Sequence, residues 1–262
     1  MALLGGGAWL WWRSSVPSLG PPQAQPAPTV AATPAPVAPA SEPAIRHPLA
    51  GVDEAPVPAT PPDVGTALAD LFGRKTVLSM FQLQDFPRRF VATVDNLGRS
   101  HAPAALWPVN PAAGRFIVEN RDGASVISAD NGLRYTPYVL LVETVDMQQA
   151  LAVYRRLYPL LQQAYEDIGY PKRYFNDRLV EVIDQLLATP VVDGPVKVHL
   201  PAINGPFQPE RPWVLYEFDD PALQSLSAGQ KVLLRMGPVN ERRVQTKLAE
   251  VRRLLTAGAK PR

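Results

Sequence analysis

Asp177, Glu181 and Asp184 are spaced at i, i+4 and i+7, which on a helix places all three carboxylates on one face. Glycoside cleavage uses paired carboxylates, one as acid and one as base or nucleophile, so a wall-active hydrolase is one chemistry this spacing could serve. The opposite face carries Leu179, Val180, Val182, Ile183, Leu186 and Leu187. The acids therefore also occupy the positions that any amphipathic helix turns to solvent. We read them as a solvated face and assign no catalytic residue.

The segment Tyr174-Phe175-Asn176-Asp177-Arg178 sets a polar triplet beside two aromatics at the start of that helix, which makes it a candidate binding corner. A structural reading uses the same residues, with Asn176 or Asp177 capping the helix and Arg178 pairing with a carboxylate such as Glu181. Seven of the eight tyrosines fall between Tyr135 and Tyr174, and Tyr154, Tyr158 and Tyr165 share a helical face. Aromatic clusters serve either as platforms for sugars and peptides or as core packing with hydroxyls at the rim. The candidate binding set is Trp107, Tyr170, Tyr174, Phe175, Asn176, Asp177 and Arg178, with an exposed patch expected around Tyr170, Phe175 or Trp107.

Other chemistries lack their residues. His47, His101 and His199 are far apart without ligand spacing, so no metal site is expected. There is no phosphate-binding loop, dinucleotide fingerprint or G-x-S-x-G elbow, and no cofactor is implied. From 231 to 262 there are nine Lys/Arg against two acids. Arg242, Arg243, Lys247, Arg252 and Arg253 lie opposite an apolar stripe of Val244, Leu248, Val251 and Leu255, a pattern that could touch anionic lipid or nucleic acid. The helix has no interleaved aromatics and contains Glu241 and Glu250, so a solvated face complementing the helix dipole is the reading adopted. A cytoplasmic protein associated with nucleic acid remains an alternative function, alongside the hydrolase.

The elements that must position these residues follow from periodicity and stop signals. Asp63 caps a helix over 64–72, and Phe90, Val91, Val94 and Leu97 mark another over 88–97. Residues 100–113 read as an extended crossing. Arg121-Asp122-Gly123 joins strands at 114–119 and 124–128. Helices are predicted over 129–145, 147–168 with Asp146 as cap, and 176–188, with short strands at 196–200 and 213–218. A helix from Pro221, another over 227–236 and a last one over 239–255 complete a mainly α (α+β) fold with about four short strands.

The 262 residues are 46% apolar and 19% charged, with net charge +2, no cysteine and 30 prolines. Without cysteine there is neither a disulfide framework nor a thiolate metal site. Fourteen prolines fall between 17 and 62, a stretch with nothing to form a core, which we read as a disordered, semi-stiff spacer. Residues 1–16 begin with an uncharged run of 12, MALLGGGAWLWW. As a helix it would reach about 18 Å, against a hydrocarbon core of about 30 Å. Its clustered tryptophans suit a membrane interface, and we expect it to be the remnant of a longer anchor helix. The chain thus divides into a hydrophobic segment (1–16), a disordered Pro/Ala-rich linker (17–62) and one globular domain (63–258).

Several blocks carry a family likeness: RRFVATVDNL at 88–97, LWPV at 106–109, RYTPYV at 134–139, YRRLYPLLQQAYEDIGYP at 154–171, YFNDRLVEVIDQLLATP at 174–190 and SAGQKVLLRMGP at 227–238. Over about residues 63–256 the chain resembles the bacterial domain-of-unknown-function family 3014. The resemblance implies a single-pass inner-membrane protein of Gram-negative bacteria, with a basic cytoplasmic start, a membrane helix, a Pro-rich linker and this domain in the periplasm. The chain departs from that pattern in lacking the basic start and half of the helix. The family has no assigned reaction, so the resemblance carries over no catalytic residue. The expected function is a membrane-tethered envelope protein whose domain is a non-catalytic module for binding an envelope protein or a cell-wall component.

Overall fold

The computed structural model describes residues 44–49, 63–192, 194–202 and 210–257. The hydrophobic segment 1–16 and the linker, apart from 44–49, lie outside the described residues. Asp63 accepts a hydrogen bond from the Gly65 amide and caps α1 (Val64–Phe72), as expected. Gly73, at φ 80°, turns the chain directly into α2 (Arg74–Met80). The sequence did not indicate this helix, because its seven residues bury only Val77 and leave no readable stripe. Next comes α3 (Phe86–Leu97), which starts two residues earlier than its apolar spacing predicts.

A short turn at Ala104–Leu106 interrupts the crossing that follows. Strands β1 (Val118–Arg121) and β2 (Ala124–Ile127) form an antiparallel hairpin with Arg121 opposite Ala124. Asp122 and Gly123 both adopt positive φ, the backbone that a two-residue hairpin loop needs and that an Asp-Gly pair tolerates. The paired residues are fewer than the sequence suggests, since 114–117 stay outside the ladder.

Two longer helices follow, α4 (Asn131–Thr144) and α5 (Met147–Asp167). The carboxylate of Asp146 caps α5 by accepting from the Gln148 and Gln149 amides. Then come α6 (Phe175–Leu187), the paired strands β3 (Val198–His199) and β4 (Glu217–Phe218), and the single turn α7 (Pro221–Gln224). Trp213, expected in a strand, instead belongs to a 3-10 turn over Pro212–Val214. A capping box of Ser227 and Gln230 opens α8 (Ala228–Met236), and α9 (Pro238–Thr256) follows. Among the described residues the domain is mainly helical with two small antiparallel sheets.

The core sits between α3, α5, α6, α8 and α9. Val91, Leu157, Leu161, Val180, Leu233 and Leu255 are buried there, joined by Tyr158, Tyr165 and Phe175. Close approach is visible at Gly229, where a Cβ would come 2.4 Å from Leu186 and 3.1 Å from the Leu97 carbonyl. A side chain at 229 would push α8 off α3 and α6. One further core residue is Leu49, only 2% exposed. It belongs to 44–49, inside the stretch assigned to the linker. That assignment needs correcting, because a Pro-rich composition does not prevent a single leucine from docking when side chains nearby satisfy its backbone.

Candidate functional site

The start of α6 is built by its neighbours rather than by its own cap. Tyr174 occupies the cap position with no side-chain capping bond. The Phe175 amide donates to Gln162 Oε1 at 2.9 Å, and the Asn176 amide donates to the Tyr158 hydroxyl at 3.2 Å. Both acceptors come from α5, so two of the orphan donors of the helix end are satisfied from outside. Asn176 and Asp177 are thereby released from the capping role that the sequence suggested. Asn176 is fully buried, accepts from the Tyr154 hydroxyl and donates through Nδ2 to the His47 carbonyl at 2.8 Å. Asp177 accepts from the Arg46 and His47 amides at 2.9 and 2.7 Å, while the Leu49 amide donates to the Tyr174 hydroxyl. The corner therefore already holds a peptide, residues 46–49 of the same chain.

Beside it lies a carboxylate that should not be in a core by composition alone. Asp95 of α3 is 5% exposed. It accepts from Arg99 Nε (3.0 Å), Arg178 Nε (2.9 Å) and the Tyr170 hydroxyl (3.1 Å). Arg178 also donates to the Asp95 carbonyl and pairs with Glu181, so the expected Arg178–Glu181 pair is present. A buried charge is tolerated only when paired and fully hydrogen-bonded, and this one is. The Asp95 carboxylate in turn raises the Arg99 guanidinium further above its ordinary value. Tyr170 stacks on Tyr165 with ring centroids 4.5 Å apart. Burial, then the negative charge of Asp95, pushes the Tyr165 hydroxyl up to about 12. Burial also holds Tyr154 and Tyr158 well above the usual tyrosine range.

Asp95, Arg99, Tyr165, Tyr170 and Arg178 line a groove of about 580 Å³ between α3, α5, the turn before α6, α6 itself and residues Ala44 and Arg46. Of the seven residues singled out from the sequence, Tyr170, Tyr174, Asp177 and Arg178 line it. Phe175 and Asn176 are fully buried beneath, so the exposed patch expected around Phe175 is not what the structure contains. Helical periodicity turns Phe175 onto the Tyr165 ring and Phe90. Trp107 is half-buried and does not line the groove.

Asp95, Arg99, Arg173 and Arg46 line the groove as well and went unremarked in the sequence. For Asp95 a signal existed: a carboxylate four residues after Val91, on the apolar stripe of α3, followed at i+4 by Arg99. For Arg46 there was none.

The three hydrolase candidates border a second, smaller depression of about 320 Å³ with Arg46, His47 and Gln185. Each carboxylate has a structural partner: two backbone amides for Asp177, Arg178 for Glu181 and Arg252 for Asp184. On α9, Arg243 pairs with Glu143 and Lys247 with Glu250, so part of its basic face is engaged within the domain. Among the described residues no group of His, Asp and Glu could hold a metal ion, and no helix is long and apolar enough to cross a membrane.

Residues 86–252 match the family described as "Protein of unknown function (DUF3014)". The chain belongs to that family. The match runs from α3 through most of α9, so the DUF3014 region contains Asp95, Tyr170 and all of α6, while residues 44–49 and α1 fall outside it. No curated protein and no solved structure matches the chain.

Proposed function

We propose that this DUF3014 protein is a membrane-tethered envelope protein whose globular domain is a non-catalytic binding module. The hydrophobic segment holds it to the inner membrane, and the Pro-rich linker carries the domain into the periplasm toward an envelope protein or cell-wall component. The observation that carries the reading is the groove over Asp95 and Arg178. It combines a stacked tyrosine pair with exposed arginines, while the nearby carboxylates are engaged in holding the domain together. A flat aromatic surface with guanidinium donors at its edge is a surface built for recognition. The N-terminal tryptophans, and the single-pass pattern implied by the resemblance of residues 63–256, support the tether.

The test is a photo-crosslinking amino acid placed at Arg173, on the groove, and separately at Arg253, on exposed α9, in intact cells. The reading predicts a discrete cross-linked product from position 173 and none from 253, with the domain digested by protease only after the outer membrane is opened. No product from 173, or a domain protected until the inner membrane is broken, would overturn it.

A further inference from the structure

The polar atoms of the groove are unevenly committed. Its acceptors are taken: Asp95 receives two guanidiniums and a hydroxyl, both oxygens of Asp177 receive backbone amides, and the two oxygens of Glu181 face Arg178 and Arg46. Its donors are not. Arg178 spends its nitrogens on Asp95 and Glu181, but Arg99 Nη1 takes no hydrogen bond among the described residues, and Arg99 is half-exposed. Arg173 is exposed, and no carboxylate among the described residues lies within ion-pair distance of its guanidinium. Arg46 reaches Glu181 only at 3.9 Å.

A groove with spare donors and spent acceptors takes a ligand rich in acceptors. The charge balance narrows the class further: four arginines against three acids leave one positive charge in excess. That suits a monoanion, whereas a dianionic phosphate would meet the Asp177 and Glu181 carboxylates uncompensated. A planar carboxylate also matches the guanidinium fork, and the apolar part of the ligand beside it can lie against the Tyr170 ring, which stacking on Tyr165 holds in place.

Building on the binding-module reading, we infer that the groove binds a carboxylate group of the partner, held by the guanidiniums of Arg99 and Arg173, with the partner's adjoining apolar group against the Tyr170 ring and Arg46 of the docked 44–49 segment closing one side. The turn before α6 is set for this. Lys172 sits at φ 63° and Gly169 at φ 113°, a tight path that brings Arg173 to the groove edge.

The experiment is calorimetric titration of the full chain with N-acetyl-Ala-Ala, its C-terminal amide, and inorganic phosphate. The free acid is expected to bind, and the amide to bind about tenfold more weakly or not at all, since it loses the charge-assisted bonds. Arg173→Gln, which removes no ion pair among the described residues, should weaken the acid by about tenfold, and Arg253→Gln should leave it unchanged. Equal binding of acid and amide, tighter binding of phosphate, an unaltered affinity in Arg173→Gln, or no binding of any probe would overturn the inference. Loss of carboxylate binding alongside a persistent cross-link from position 173 would remove this ligand class and leave the binding module standing.

Discussion

α6 and α9 pack against each other and carry opposite charges, yet their polar faces have different fates. On α9 the basic residues make isolated bridges: Arg243 to Glu143 of α4, Lys247 to Glu250 one turn on, and Arg252 to Asp184 of α6. These pairs are partly solvated. At the start of α6, by contrast, α3, α5, the preceding turn and residues 44–49 converge. There the charges join one network in which the Asp95 carboxylate is buried and Asp177 binds backbone. A charged helix face becomes a site where other elements close over it; where they do not, it remains a solvated face. The same helix shows both outcomes, since Asp184 lies near the far end of α6 with one exposed arginine for a partner.

The largest break in that comparison should come from Asp95→Ala. Removing the carboxylate leaves two guanidiniums facing each other in a semi-buried pocket, which costs about 3–5 kcal/mol, read from the shift of the urea midpoint. A cost below about 1 kcal/mol, the level of a surface pair, would mean that the two faces are equivalent. Next, Leu49→Ala should destabilise by about 2–4 kcal/mol, as truncation of a buried leucine does, and should expose 44–49 to protease. An unchanged midpoint would mean that the segment contributes nothing to the core.

Apart from α2, the helices and their stops were legible in the sequence because periodicity and punctuation are local. The caps at Asp63 and Asp146 and the Asp122-Gly123 turn follow from residues within a few positions of one another. The start of α6 was misread for the converse reason. Asn176 has the composition of a cap, but Gln162 and Tyr158 on another helix supply the acceptors, and no local rule contains them. Likewise the docking of Leu49 depends on Tyr174, Asn176 and Asp177, more than a hundred residues away. The tyrosine cluster was read as either platform or core, and it divides between the two: Tyr158 is buried in the core, Tyr165 is buried where it borders the groove, and Tyr170 and Tyr174 reach the groove.

That division has a pH signature. Tyr154, Tyr158 and Tyr165 have hydroxyls raised above the ordinary value of about 10 by burial. A group whose folded value is raised favours the folded state fully below its unfolded value, and loses that contribution as pH climbs toward the folded value. Stability should therefore be level in this respect up to about pH 10 and fall from there toward 12 and beyond, in step with tyrosinate absorbance. Tyrosinate appearing near pH 10 in all eight residues without unfolding would contradict the burial. The smallest effect expected is that of Asp184→Asn, about 0–1 kcal/mol for an exposed pair with Arg252. A larger loss would show that the outer end of α6 resembles its inner end.

The most direct test of the account is amide hydrogen exchange at Arg46 and His47, the two residues whose N–H groups bind Asp177. If the start of α6 is a closed corner holding the chain's own segment, both amides should exchange far more slowly than exposed amides in the natural chain, and Asp177→Asn should largely abolish that protection while leaving the core of α5 protected. Exchange of Arg46 and His47 in the natural chain at the rate of freely exposed amides would contradict it.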